Sequence, residues 1–133
     1  MINTVQIDAA VYTRLTNDAG VTALVPAGSI GSHLPQDVTY PHILFRFEEE
    51  DLGIKSEGAL SCNLVIDVWS DTKGEKEVRL IRDAVYTALQ DTPLTIASGD
   101  AIGSTFTNFI SFLEPDGVVH HGVLNFNLLY GDS

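Results

Sequence analysis

The sequence predicts an α+β fold, with two helices packed on one face of a mainly antiparallel sheet. Three observations predict it. Helical periodicity marks two stretches, near Val5–Asn17 and Val78–Leu89, and strand alternation flanks the second of them. Turn residues, rich in Gly, Pro and Asp, separate the periodic segments. The expected order is α-β-β-α-β-β in a single domain over residues 1–133, with a minor strand after the second helix.

The first helix is expected from Val5 to Asn17. Asn3 is placed to cap it, with Gln6 three positions on, and Ile7, Val11 and Leu15 form an i, i+4, i+8 stripe beside Ala10. Gly20 is placed to stop it. Val21–Val25 reads as an apolar turn before Pro26, and Ala27–Thr39 as a loop in which Ile30 makes a brief extended contact.

The stretch LPQDVTYPHILFRF leads into the first strand. A proline such as Pro41 fits at a strand's first position but not within a central ladder. From Pro41 to Glu50, Ile43, Phe45 and Phe47 alternate with Leu44, Arg46 and Glu48. After the polar connection DLGIKSEG, a second strand from Ala59 to Ser70 sets Leu60, Cys62, Leu64, Ile66 and Val68 on one face. Ser61, Asn63, Val65, Asp67 and Trp69 occupy the other, and the two strands make an antiparallel hairpin.

The second helix shows capping-box spacing at Thr72 and Glu75, then the stripe Val78, Ile81, Val85, Ala88, flanked by Ala84 and Leu89. Arg79, Arg82, Asp83 and Gln90 fall on its wet side, and Asp91-Thr92-Pro93 ends it. An extended piece, Leu94–Ala97, and a loop, Ser98–Ser104, precede a strand over Thr105–Leu113. Glu114-Pro115-Asp116-Gly117 is a turn signal. The last strand, Val118–Tyr130, has Leu124, Phe126, Leu128 and Tyr130 on one face. The second sheet face is only half polar: Val65 and Trp69 oppose the Leu64 set, and Phe109 and Leu113 oppose Phe106, Ile110 and Phe112. Such a face needs cover, from a partner subunit or from further helix packing.

Composition narrows the function classes. With 133 residues, 44% of them apolar, the chain can bury a core without covalent staples. Seven Lys plus Arg against 18 Asp plus Glu give a net charge of −11, which repels nucleic-acid phosphates and anionic membranes. That charge serves solubility, or in part lines a surface past which DNA slides. The lone Cys62 excludes an internal disulfide and a multi-cysteine zinc site. No apolar run approaches the roughly 20 residues of a membrane span. The opening MINTVQIDAAVY lacks a signal peptide's basic start and apolar block, so synthesis is expected in a reducing cytoplasm.

No constellation of residues carries chemistry. His120 and His121 are strand neighbours whose side chains point to opposite faces and cannot share an ion. His33 and His42 lie in or beside a loop without a spaced co-ligand, and Cys62 reads as a small hydrophobe. Phosphate-loop and nucleophile-elbow patterns are absent from the sequence. Glu48, Glu49, Glu50 and Asp51 form the densest charge run but lack calcium-loop spacing. They read as a solvated hairpin end that discourages edge pairing, or as an acidic rim or lumen in an assembly. Trp69 is either a core anchor or an interface anchor. The interaction candidates are therefore Glu48, Glu49, Glu50, Asp51 and Trp69, with no catalytic, cofactor-binding or metal residue assigned.

Four segments span nearly the whole chain in a characteristic order and spacing: VYTRLTNDAGVTALV, LPQDVTYPHILF, CNLVIDVWSDTKGEKEVRLIRDAVYTAL and HHGVLNFNLLYG. In these the chain resembles the tail-terminator, or tail-completion, proteins of long-tailed bacteriophages and prophages. The resemblance implies a nonenzymatic virion protein without cofactor, assembled in the host cytoplasm and placed at the head–tail interface. It implies a homo-oligomeric ring, usually a hexamer, that sits on the last ring of tail-tube protein and stops its polymerisation. The ring presents a surface to the head-completion or connector protein, and DNA passes through its lumen without specific binding. The Glu48–Asp51 run is expected at the lumen or tube-facing rim. His120-His121 and that acidic run have no counterpart in the family pattern. Two other readings stand beside this one: a head-closure or minor tail-tube protein of the same particle, and a small enzyme or ligand-binding domain.

Overall fold

Strand alternation and helical stripes meet in one layered core. The computed structural model describes residues 4–50, 60–90, 93–96 and 101–130. Its frame is a six-stranded sheet in the order β1-β2-β3-β6-β5-β4. The strands are β1 (Ile30–Gly31), β2 (His42–Glu50), β3 (Leu60–Ser70), β4 (Leu94–Thr95), β5 (Ala101–Leu113) and β6 (His120–Tyr130). All neighbours are antiparallel except β1, which runs parallel to β2 through Ile30 opposite Ile43. The helices are α1 (Thr4–Asn17), the single turn α2 (Ala19–Thr22) and α3 (Lys76–Leu89), with a 3₁₀ turn at Ala27–Ser29.

The α+β class and the mainly antiparallel sheet are present as expected. The element order is longer than α-β-β-α-β-β: α2 forms where an apolar turn was expected, β1 at the brief extended contact of Ile30, and β4 is the minor strand after the second helix. The inner sheet face carries Ile43, Phe45, Cys62, Leu64, Ile66, Val68, Leu124, Phe126 and Leu128. These pack in one cluster with Ile7, Val11 and Leu15 of α1 and Ile81, Val85 and Leu89 of α3. Asn3, Asp91, Thr92 and Ser98, the 51–59 connection, and the side chains of Leu60, Ser61 and Tyr130 lie outside the described residues.

Four local expectations change. Asp18, rather than Gly20, divides α1 from α2: its backbone is extended and its carboxylate accepts the Val21 N–H at 3.0 Å, starting the short helix around Gly20. The Thr72–Glu75 capping box does not form. Glu75 is itself the N-cap residue of α3 without a side-chain cap, and its carboxylate accepts from Ser111 instead. Thr72 and Ser70 both donate to Glu77, at 3.1 and 2.6 Å. Strand β5 begins at Ala101, within the stretch read as loop, and buries Ile102 and Ser104.

The fourth change is a β-bulge. Pairing passes from Phe106–Phe126 to Asn108–Asn125, leaving Thr107 as the extra residue. One inserted residue reverses the alternation, so Phe106 and Phe109 share the inner face instead of opposing each other. Ile110 and Phe112 turn outward. Phe106 then meets Phe126 and Tyr86 edge-on, at 5.5 and 5.3 Å. Val78 of α3 lies close over Gly122, where a Cβ would stand 2.6 Å from Val78 Cγ1 and 3.0 Å from the Phe109 ring. Only glycine permits that approach.

Candidate functional site

Helices cover one face of the sheet; the other is left with a row of rings. Register builds that row. His42 lies opposite Trp69, Trp69 opposite His121, and His121 opposite Phe112, so one line of side chains crosses β2, β3, β6 and β5. Trp69 and His121 stack at 4.4 Å, His42 lies 5.1 Å from Trp69, and Phe112 lies 4.9 Å from His121. Tyr40, ahead of β2, extends the line with its ring 4.9 Å from His42.

His121 is the electrostatic centre of the row. Its Nε2 donates to Asp67 at 2.8 Å and its Nδ1 to Glu114 at 2.8 Å. Ionised carboxylates only accept, so the imidazole that satisfies both is protonated on both nitrogens. Burial pushes the His121 pKa down, but hydrogen bonds and charge from Asp67 and Glu114 outweigh it and hold the pKa above its ordinary value. Asp67 also receives Arg46 at 3.8 Å, and Arg46 reaches Glu48 at 3.6 Å. His42 moves the other way. Its burial lowers the pKa, a hydrogen bond to the Thr39 carbonyl opposes this, and the charge of His121 lowers it further.

The turn after β5 places Glu114. Asp116 accepts the N–H groups of Val118 and Val119 at 2.8 and 3.0 Å, and Gly117 supplies a positive φ of 75°. Those backbone hydrogen bonds hold the Asp116 carboxyl below its usual range. On the same face as the row, Ile110, Phe112 and Leu129 are exposed. With both imidazole nitrogens engaged, His121 offers no lone pair for a metal or a proton. The arrangement suits a rigid contact surface. Among the described residues, no group of three or more His, Cys, Asp or Glu could hold a metal ion, and no helix is long and apolar enough to cross a membrane. A concavity of about 730 Å³ lies between α1 and β4 and is lined by Val5, Ala9, Thr13, Leu94 and Ile96.

Of the sequence candidates, Trp69 sits in the middle of the ring row, outside the helix-covered core. Glu48 is exposed on the same face, beside Arg46. Glu49 and Glu50 continue β2 opposite Cys62 and Ser61, but their side chains, and all of Asp51, lie outside the described residues. His42, Asp67, Glu114 and His121 were not among the candidates. Strand parity was the available signal, since it puts Asp67, Trp69 and His121 opposite the core positions; their pairing depends on register, which parity alone does not set.

Residues 9–131, nearly the whole chain, match the family model described as Tail completion protein gp17. The fold is shared with a chain in the virion of a native gene transfer agent (GTA) particle: TM-score 0.84, 21% identity, 95% of each chain covered. None of the curated protein sequences matches the chain. The protein is thus a structural protein of the phage tail. It belongs to the tail completion protein gp17 family.

Proposed function

We propose that this protein completes the tail by forming a homo-oligomeric ring, a hexamer, on the end of the tail tube. The ring ends polymerisation of the tail-tube protein and presents the surface to which the head-completion or connector protein joins. The family match over residues 9–131 carries this reading. A closed ring needs heterologous contacts and two unlike end surfaces. The protomer's two sides supply unlike surfaces, one helical and one a bare sheet face with its ring row. A net charge of −11 lets DNA pass a lumen without adhering. The Glu48–Asp51 run faces that lumen or the tube-facing rim.

Tail-tube protein polymerised with and without this protein tests the reading. Added protein is expected to give tubes of limited length carrying one cap at one end. Incorporation along the tube would instead indicate a minor tube component, and binding only to head connectors a head-closure protein. Reversing Glu48, Glu49 and Glu50 to lysine in a phage is expected to slow DNA ejection and lower infectivity. Unchanged ejection removes those residues from the lumen.

A further inference from the structure

The sheet ends in two open edges, and they differ in charge. At one end β1 pairs with β2 only at Ile43 and Leu44, so residues 45–50 have no outer strand among the described residues. At the other end β4 pairs with β5 only at Ala101 and Ile102, and the Gln90 side chain accepts the Phe106 N–H. Beyond them, residues 108–113 have no outer strand among the described residues either. A long bare edge is a template for another strand, and proteins that stay single blunt it with charge. Strand β5 carries no charged residue over its whole length, Ala101–Leu113, in a chain of net charge −11. Ile110, Phe112 and Leu113 are exposed within its open run. The open run of β2 instead holds Arg46 with Glu48, Glu49 and Glu50.

Charge, strand direction and face together choose the occupant. Joining two β2 runs would crowd the three glutamates of each copy together, and like charges across a strand pair repel. Joining β2 to β5 sets those glutamates beside a neutral strand. A β5–β5 pair is neutral too, but it is isologous, stops at two copies and leaves both acidic edges bare. Three antiparallel steps, β2 to β3 to β6 to β5, make β2 and β5 run in opposite directions. A neighbour turned about an axis along the strands therefore brings its β2 antiparallel to β5. Overlaying the two open runs end to end sets position 46 against 112, 47 against 111 and 48 against 110. Arg46, Glu48, Ile110 and Phe112 all lie on the bare face, whereas Phe47 and Ser111 lie on the helix side. That register keeps every side chain on its own face, and a slip of one residue would not. We infer that the open edge of β5 takes up the β2 edge of the next copy of this chain as an added antiparallel strand, residues 108–113 against residues 50–45. This rests on the ring reading above and states how its protomers join. Each sheet continues into the next, and closure around the axis leaves neither edge bare.

Cross-linking with a short bismaleimide tests the pairing, with Glu48→Cys on β2 and Ile110→Cys on β5. Both sites are exposed, and the native Cys62 is buried. The double variant, concentrated in solution or bound to tail-tube ends, is expected to give a covalent ladder that stops at the ring number. Each single variant is expected to stay unlinked, and an equimolar mixture of the two to stop at 1:1 dimers. Charge reports the register. Ile110→Glu, set against Glu48 of the neighbour, is expected to lower ring yield several-fold, and adding Glu48→Lys to restore most of it. Melting curves matching wild type show that both variants keep the fold. Ring yield unmoved by Ile110→Glu would overturn the inference. Dimers from Ile110→Cys alone would overturn it in favour of a β5–β5 pair, and Ile110→Cys linked only to tail-tube protein in favour of a tube strand. A double variant that caps tubes yet gives no ladder overturns the pairing while the capping role stands. A ladder from protein that never caps tubes leaves the pairing standing and removes the capping role.

Discussion

Trp69 and His121 stack across the β3–β6 pair with ring centroids 4.4 Å apart and planes 20° apart. The imidazole held against the indole is cationic, so dispersion and cation–π attraction act together. The same ring donates to Asp67 on β3 and to Glu114 in the β5–β6 turn. One protonated side chain therefore ties the centre of the sheet to the end of its outer hairpin.

That proton gives stability a pH signature. The folded-state pKa of His121 lies above 6.5: burial lowers it, and the bonds to Asp67 and Glu114 more than reverse this. A folded pKa raised above the unfolded one stabilises fully below about 6.5 and loses that contribution as pH rises through the folded value. His121→Gln is expected to cost about 1.5–3 kcal/mol at pH 6, the range for hydrogen bonds to charged groups. The gap from wild type should narrow by pH 9. Urea midpoints at both pH values measure it, and a gap independent of pH would show that folding does not raise the His121 pKa.

Gly122 sets how closely α3 lies on the sheet. Alanine there would place Cβ 2.6 Å from Val78 Cγ1, on a short branched side chain that cannot swing away. Gly122→Ala is expected to destabilise by about 1–3 kcal/mol through overpacking. Val78→Ala, costly alone, is expected to recover part of that loss in the double variant. Thermal melts of the four proteins close the cycle, and strictly additive effects would show that the two positions do not collide.

The inner half of this fold was legible because its signal is local. Leu64, Ile66 and Val68 repeat with period two, Ile81, Val85 and Ala88 with helical period, and all are buried. The bulge at Thr107 was not legible, since one extra residue reverses strand parity without any mark in composition. Thr72 and Glu75 have correct box spacing, yet Ser111 from a distant strand offers Glu75 a competing partner. The ring row was hidden for a related reason. Asp67 and His121 are 54 positions apart and meet only through the β3–β6 register. Trp69 could be singled out from sequence, while the imidazole that holds it could not. Family membership was readable because four segments spanning the chain carry it, with no site motif among them.

Gln90 protects the outer edge of β5. Its side-chain carbonyl accepts the Phe106 N–H at 2.7 Å, beside the bulge and beyond the two-residue reach of β4. A donor on a sheet edge invites another strand unless something covers it. Gln90→Ala removes that acceptor at a cost of about 1 kcal/mol. Gln90→Glu keeps an acceptor and is expected to stay near wild type. Hydrogen exchange at the Phe106 amide should quicken about fivefold in the alanine variant, the factor that 1 kcal/mol represents. An unchanged rate would show that the edge is protected by other means.

Arg14 closes the C-terminal end of α3. The last turn of α3 contains no basic residue, so its terminal carbonyls lack a cation of their own. Arg14, on α1, fills the gap: Nη1 donates to the Ala88 carbonyl at 2.9 Å and Nη2 to the Pro93 carbonyl at 2.8 Å. A planar guanidinium spans both oxygens at once, whereas an ammonium is a single point of charge. Arg14→Ala is expected to cost about 1–3 kcal/mol, and Arg14→Lys to recover less than half of that. Melting of the three proteins gives the order, and a lysine variant as stable as wild type would show that charge at the helix end matters while the two-pronged geometry does not.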